Sequence, residues 1–397
     1  MTSMLVCYNR RNMNTDRLKR HVKIVCTLGP ASNSPEIIAK MLQSGMDVAR
    51  LNLSYGTLEE HRQTVATVRS VSQKMELPTA ILLDCPGRKR RTGDTKAVFG
   101  DHLQFARDNQ IDFIALSFIT STQQVEEVKS LLKEMSVGIP VITKIEKGEA
   151  LAVSGSIIDV SDGVMVARGD LGLQISIEKV PLAQKKIIRE ANQRGKPVIT
   201  ATEMLESMVK SATPTRAEAT DVANAVLDGT DAVMLSEETS IGKYPVEAVQ
   251  MMVKIILEAE TVFPHDEVLR ESHVENLNEI DDATALAACQ IAHQIDAKAI
   301  VALTAGGTTA LRVAKHRPSQ PILAVTLSDT IMRQLNLVWG VYPLRKSAPA
   351  NLEEWLETAR ITALETGVAK TGDVIVLTAG LPLGVAGSTN LVKVHRI

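Results

Sequence analysis

The feature that most constrains this chain is a recurrence of short runs rich in valine, isoleucine, leucine and alanine. Amphipathic stretches that begin at serine, aspartate or threonine separate them. A run that is apolar at every residue has both faces buried, as a strand does in a parallel sheet covered by helices. Eight such runs come first: Lys23–Leu28, Asp47–Leu53, Thr79–Cys85, Asp112–Phe118, Pro140–Glu146, Gly163–Arg168, Pro197–Thr202 and Ala232–Ser236. Eight is the number that closes a (β/α)8 TIM barrel. An open doubly wound sheet satisfies the same periodicity.

The runs also share a manner of ending. Their carboxyl ends read Arg50-Leu51-Asn52-Leu53-Ser54, Asp84, Ser117, Lys144-Ile145-Glu146, Arg168-Gly169-Asp170, Thr200-Ala201-Thr202 and Ser236-Glu237-Glu238-Thr239. In a barrel those ends assemble the active site. Charges on a partly buried rim must be paired or solvated at real cost, and a purely structural protein gains nothing from them.

The pattern breaks after Val262, and a polar stretch over 263–280 reads as a linker. A second α/β unit with a mostly parallel sheet follows over 281–397. Its strands are expected at Ala297–Thr304, Pro321–Thr326, Val341–Leu344, Asp373–Thr378 and Leu391–Val394, with helices including Asp282–Ile295 and Leu352–Thr366. Residues 1–20 are basic and read as a loose leader before a barrel over 21–262. The balance of 44 Lys+Arg against 46 Asp+Glu excludes a nucleic-acid polyanion as the main partner, and 3% aromatic residues leave little for base stacking. Cys7, Cys26, Cys85 and Cys289 stand apart, which fits reduced cytoplasmic thiols better than disulfides or a zinc site. No stretch reaches the roughly 20 apolar residues of a membrane span.

Four constellations carry chemistry, each with a bland alternative. Lys144 and Glu146, two apart on a strand, share a face. With Asp170 they form either a satisfied salt-bridge network or a site where two carboxylates hold Mg2+ while a substrate phosphate completes its shell. Arg168-Gly169-Asp170-Leu171-Gly172 is an anion-approaching glycine turn or an ordinary βα turn. Thr213-Pro214-Thr215-Arg216-Ala217-Glu218 is a helix start with proline in the first turn, or one whose arginine reaches a neighbouring subunit's ligand. Thr304-Ala305-Gly306-Gly307-Thr308-Thr309 is a phosphate cradle or a capped glycine-rich turn.

In order along the chain, Lys23-Ile24-Val25-Cys26-Thr27-Leu28-Gly29-Pro30-Ala31-Ser32, Ala49-Arg50-Leu51-Asn52, Lys144-Ile145-Glu146, Met165 to Gly172, Pro197 to Thr202 and Pro214 to Ala219 resemble the signatures of the pyruvate kinase family. The resemblance runs from about Val22 to Val262 and, less specifically, from Ile280 to the end. It implies Mg2+-dependent (or Mn2+-dependent) phosphoryl transfer from phosphoenolpyruvate to ADP, giving pyruvate and ATP in glycolysis, by a cytoplasmic homotetramer with an allosteric C-terminal domain. It also implies roles. Glu146 and Asp170 hold Mg2+, and Lys144 neutralises the transferring phosphoryl group. Arg50 and Arg91 grip phosphate oxygens. Gly169, Asp170 and Thr202 bind the substrate carboxylate, with Thr202 relaying a proton. Asn52, Ser54, Asp84 and Cys85 match a monovalent-cation site. Thr304, Gly306, Gly307, Thr308 and Thr309 match an effector phosphate loop facing Ala379 to Asn390, for a sugar phosphate or AMP.

Departures accompany the match. The family's inserted lid domain is absent or omitted between about residues 93 and 100. Lys89 stands where members that do not require K+ carry lysine, which implies K+ independence. Tyr55, Glu203 and Glu237 replace the usual His, Gln and Gly, and Glu237 adds negative charge near a polyanion site. Two further readings stand beside the kinase: Mg2+-dependent oxaloacetate decarboxylation or pyruvyl-acid cleavage on the same barrel, and a non-catalytic phosphometabolite-binding protein.

Overall fold

The eight runs close into one parallel barrel: β1 Lys23–Thr27, β2 Val48–Asn52, β3 Ala80–Cys85, β4 Phe113–Leu116, β5 Val141–Ile145, β6 Gly163–Ala167, β7 Val198–Ala201 and β8 Ala232–Leu235, with β8 pairing back onto β1. This computed structural model describes residues 15–87, 95–271, 279–382 and 388–397. The open-sheet alternative is thereby excluded. The strands stop earlier than the apolar runs where the backbone turns away, as at Phe118, which adopts a left-handed φ of 63°. The C-terminal domain carries a five-stranded sheet in the order β11-β10-β9-β12-β13, built from β9 Ile300–Leu303, β10 Ile322–Thr326, β11 Val341–Arg345, β12 Val374–Ala379 and β13 Leu391–Arg396. Only β13 runs antiparallel, against β12.

Inside the barrel, Val25, Val48, Leu82, Ala115, Ile142, Met165, Ile199 and Met234 form an apolar layer. Leu337, from the C-terminal domain, joins that cluster and closes its floor. Helices seal the outside against the complementary face of each strand, exemplified by Ile24, Ala49, Ile81 and Ile114. The helix Arg216–Leu227 starts at Thr215, whose hydroxyl accepts the Glu218 amide while Glu218 accepts the Thr215 amide. That reciprocal box places Pro214 before the cap rather than in the first turn.

One residue type organises the floor. Asp47, Asp112, Asp162 and Asp231 each stand immediately before an even-numbered strand. Each accepts a backbone N–H from the preceding odd strand: Ile24, Ile81, Val141 and Val198, at 2.8 to 3.0 Å. Each also meets a cation: Arg17 and Arg20 on Asp47, Arg69 and Arg333 on Asp112, Lys129 on Asp162, and Arg317 on Asp231. Arg317 and Arg333 come from the C-terminal domain, so the same carboxylates that start the strands also dock the two domains. Lys23 adds a bond from its Nζ to the Val341 carbonyl at 2.6 Å, and burial pulls its amine down to about 7.

Two stretches differ from their sequence readings. Thr15–Lys19, within the stretch read as a loose leader, is helical, and Arg17 and Arg20 beside it reach Asp47. Within the stretch read as a linker, His265–Glu271 is helical; Phe263 is buried, and His265 and Trp339 pack near His21. Polarity signalled a loop there, but a few aromatic anchors decided the packing. Cys26, Cys85 and Cys289 are buried thiols, and Cys7 lies outside the described residues. No helix among the described residues is long and apolar enough to cross a membrane.

Arg317 donates to both oxygens of Asp231, at 3.0 and 2.8 Å, with both side chains almost fully buried. Arg317→Ala is therefore expected to cost about 3–5 kcal/mol, the penalty for leaving one buried charge without its partner. Chemical denaturation checks this, and a loss under 1 kcal/mol, within the range of ~0–1 kcal/mol for surface pairs, would contradict it.

Candidate active site

Strand alternation builds the mouth from the floor upward. Side chains two residues beyond an inward apolar residue also point inward. Val48 is thus followed by Arg50, Leu82 by Asp84, Ala115 by Ser117, and Ile142 by Lys144 and then Glu146. The apolar layer below gives way to a charged layer above.

That layer is a connected network. Arg50 donates from Nε and Nη2 to Asp84 Oδ2 at 3.0 and 2.7 Å, and from Nη1 to Thr27 Oγ1 at 2.7 Å. Lys144 Nζ donates to Ser117 Oγ at 2.8 Å and lies 3.5 Å from Asp84 and 3.3 Å from Glu146. Burial opposes charge on Lys144, but Asp84 and Glu146 outweigh it and hold the ammonium above the ordinary lysine range. Burial likewise opposes ionisation of Asp84, but Arg50 and Lys144 outweigh it and keep the carboxyl low. Glu146 is different, because burial dominates and raises it. Its Oε1 accepts the Phe118 amide at 2.5 Å, while its Oε2, also buried, faces the Lys144 ammonium at 3.3 Å. Asp170, an exposed carboxylate in the first turn after β6, contributes to the field at Glu146. A buried carboxylate oxygen held only by an ammonium at 3.3 Å and a second carboxylate in the solvent suit a hard divalent cation that keeps open positions.

The β6 and β7 ends form the adjacent wall. The Gly169 amide donates to Thr202 Oγ1 at 2.7 Å. Thr202 and Glu203 both adopt left-handed φ, at 71° and 54°, a sparsely populated conformation for a β-branched residue. Arg168 holds this turn: its guanidinium donates to the carbonyls of Ala201 at 3.3 Å and Thr202 at 2.6 Å, and pairs with Asp221 at 2.6 Å. On the β8 side, buried Glu238 accepts the Leu205 and Ser236 amides, whereas Glu237 is exposed.

The expected residues divide as follows. Arg50, Asp84, Lys144 and Glu146 meet in one network, with Gly169 and Thr202 bonded to each other on the next strands. Asn52 Oδ1 accepts the Ser54 amide at 3.1 Å, Ser54 is exposed, and the Cys85 carbonyl accepts the Ser117 amide at 3.3 Å. Arg91 and Lys89 lie outside the described residues. In the other domain, Thr304 Oγ1 accepts the Gly307 amide at 2.9 Å, Thr308 begins a helix, and Thr309 Oγ1 lies 3.0 Å from Thr389 Oγ1. Sequence reasoning gave no role to Ser117, Thr27 or Arg168. Inward parity marks the first two; nothing local marks the third, whose partners come from β7 and a later helix.

Comparison with known proteins follows this geometry. The family described as "Pyruvate kinase, barrel domain" matches residues 19–102 and 99–249, two segments that overlap within the helix Thr95–Asp108 after β3, and "Pyruvate kinase, alpha/beta domain" matches 282–395. A protein named pyruvate kinase from Staphylococcus aureus (strain USA300) is 36% identical over 471 aligned positions, covering 95% of this chain and 80% of that protein. One of the same name from Geobacillus stearothermophilus is 37% identical over 474, covering 96% and 81%. Alignments longer than the 397-residue chain require segments that this chain lacks.

Asp84→Asn leaves Arg50 and Lys144 without their shared anion. The expected outcome is a stability loss of about 3–5 kcal/mol and a Lys144 amine that titrates at lower pH, read by NMR of labelled lysine side chains. An unmoved Lys144 titration would contradict the assignment.

Proposed function

The chain belongs to the pyruvate kinase family, and from that premise we propose that it transfers the phosphoryl group of phosphoenolpyruvate to ADP, giving ATP and pyruvate. The observation that carries this reading is the placement of the Lys144 ammonium among Ser117, Asp84 and the buried Oε2 of Glu146. Phosphoryl transfer asks a protein mainly for position and for positive charge where equatorial oxygens gain it.

In this reading Lys144 exchanges one of its internal contacts for a phosphoryl oxygen, remaining charged because two carboxylates support it. Arg50 stays anchored through Asp84 and presents its guanidinium edge to the phosphate, with Arg91 as a second grip. The Gly169 and Asp170 amides and Thr202 receive the substrate carboxylate. Breaking the bond from the enol oxygen to phosphorus leaves an enolate, and Thr202 Oγ1 relays a proton to its terminal carbon. Glu146 and Asp170 hold Mg2+ or Mn2+, which when bound supplies Lewis-acid neutralisation of the oxygens. Arg168 touches no reacting atom and acts by fixing the strained Thr202 turn.

Support for the remaining assignments is the family's pattern. Asn52, Ser54, Asp84 and Cys85 form the monovalent-cation position, with the Lys89 ammonium standing in for K+. Thr304, Gly306, Gly307, Thr308 and Thr309 receive an effector phosphate. The protein works in the cytoplasm as a homotetramer. Thr95, ten residues after the end of β3, already lies in the next helix, which leaves no room for an inserted lid in this chain.

A coupled assay with phosphoenolpyruvate, ADP and Mg2+ tests the activity. Lys144→Met is expected to lower kcat by at least about 1,000-fold, the upper range for losing one electrostatic contact to the transition state. Equal rates for the two proteins, or turnover of oxaloacetate without turnover of phosphoenolpyruvate, would overturn the reading. Rates are expected not to rise on adding K+.

Arg168→Lys is expected to lower kcat by about 100-fold, as for small misplacements of reacting groups, while the thermal midpoint stays close to wild type. Equal kcat would remove Arg168 from the positioning of Thr202.

A further inference from the structure

The end of β5 grips the end of β4 twice. Glu146 Oε1 accepts the Phe118 amide at 2.5 Å, and the next residue, Lys147, sets its Nζ over the Phe118 ring, 5.2 Å from the centroid. Phe118 has a left-handed φ of 63°, an outlier for a bulky side chain, so the turn persists only because its surroundings hold it. Strain of this kind gathers at ligand clamps. The ring also reaches towards β3, since a Cβ on Gly87, two residues after that strand ends, would stand 3.2 Å from Phe118 Cδ2. The Lys147 ammonium is thereby stationed on the rim of the mouth, beside the strand ends that carry Asp84, Ser117 and Glu146.

Lys147 differs from the other cations of the mouth in having no anion. Arg50 and Lys144 are engaged by Asp84 and Glu146, and Arg168 by Asp221. Lys147 Nζ forms no ion pair or hydrogen bond among the described residues, and its contact is the ring face. Attraction to a ring is weak where water reaches the cation, and Lys147 is only half-buried. An ammonium on a flexible stem with three donors unspent can leave the ring for an anion, and no carboxylate is stranded behind it.

We propose that Lys147 is a specificity-determining residue of the mouth, moving from the Phe118 ring to the diphosphate of the incoming nucleoside diphosphate. The identity of that anion rests on the kinase reading. Lys144 meets the phosphoryl group deeper in the barrel, so the anion left for a rim cation is the substrate that projects outwards. With no room for a lid after β3, contacts to that projecting part fall to the rim.

Isothermal titration of the full chain with ADP and Mg2+, and separately with phosphoenolpyruvate and Mg2+, tests this without turnover. Lys147→Gln is expected to raise the Kd of ADP by about tenfold or more, as for the loss of one charged contact, and to leave that of phosphoenolpyruvate unchanged. Lys147→Arg, which keeps the charge, is expected to bind ADP far more tightly than Lys147→Gln. In turnover, Lys147→Gln raises the KM for ADP. Thermal midpoints near wild type verify that both variants are folded. An unchanged Kd for ADP in Lys147→Gln overturns the proposal, and so does an equal rise for phosphoenolpyruvate, which would put the ammonium on the deeper phosphate. ADP binding that depends on Lys147 in a protein that turns over no phosphoenolpyruvate supports the rim contact and overturns the kinase reading alone. Turnover with ADP binding indifferent to Lys147 overturns the rim contact alone.

Discussion

Four aspartates at the barrel floor, three of them buried, set the terms for everything above them. Each begins an even strand, ties down the amide of the odd strand before it, and meets a cation from another part of the chain. A charge-assisted hydrogen bond to a backbone amide pins the register of two strands. Register matters because a slip of one residue moves every side chain to the other face of its strand. With Asp112 fixed before β4 and Asp162 fixing the start of β5, Ser117 and Lys144 point inward. The chemistry at the mouth is positioned from the opposite end of the barrel.

The mouth itself holds balanced charge. Arg50 and Lys144 face Asp84 and Glu146, two cations against two carboxylates, all largely buried. An anionic substrate entering such a site must bring or meet compensating charge, because the cations are already engaged. Glu146 Oε2 shows how: it faces the Lys144 ammonium at 3.3 Å and keeps lone pairs to offer a divalent cation. A divalent cation held there by Glu146 would shift the local balance towards positive and leave Lys144 freer to meet the substrate. The raised affinity of Glu146 for a proton and its suitability for a metal have one cause, burial without a full set of donors.

Much of this was legible in the sequence, and for identifiable reasons. Continuous apolar runs ending in polar residues are the signature of strands buried on both faces, so all eight barrel strands and the residues at their carboxyl ends stood out. Arg50, Lys144, Glu146 and Thr202 were readable for that reason. Ser117 and Thr27 were readable only through parity, and serine and threonine in a strand rarely attract notice. Arg168 escaped because its role depends on carbonyls of β7, more than thirty residues away. The helix at His265–Glu271 escaped because local polarity pointed to a loop, while His21 and Trp339 supplied packing from distant positions. The floor aspartates lay in plain view at the head of the apolar runs, yet their meaning required knowing which strand pairs with which.

The short connection after β3 follows the same logic. The residues that carry charge at the mouth sit on strands or within three residues of their ends, and Arg50, Asp84 and Lys144 find their partners at the ends of neighbouring strands. Their placement therefore asks nothing of a domain inserted between β3 and the next helix. What an inserted lid adds to such a site is exclusion of water and contacts to the part of a ligand that projects beyond the rim. A barrel that keeps Arg50, Lys144 and Glu146 in register without that insertion retains the electrostatic core of phosphoryl transfer. It leaves the projecting nucleotide to whatever the rim itself provides.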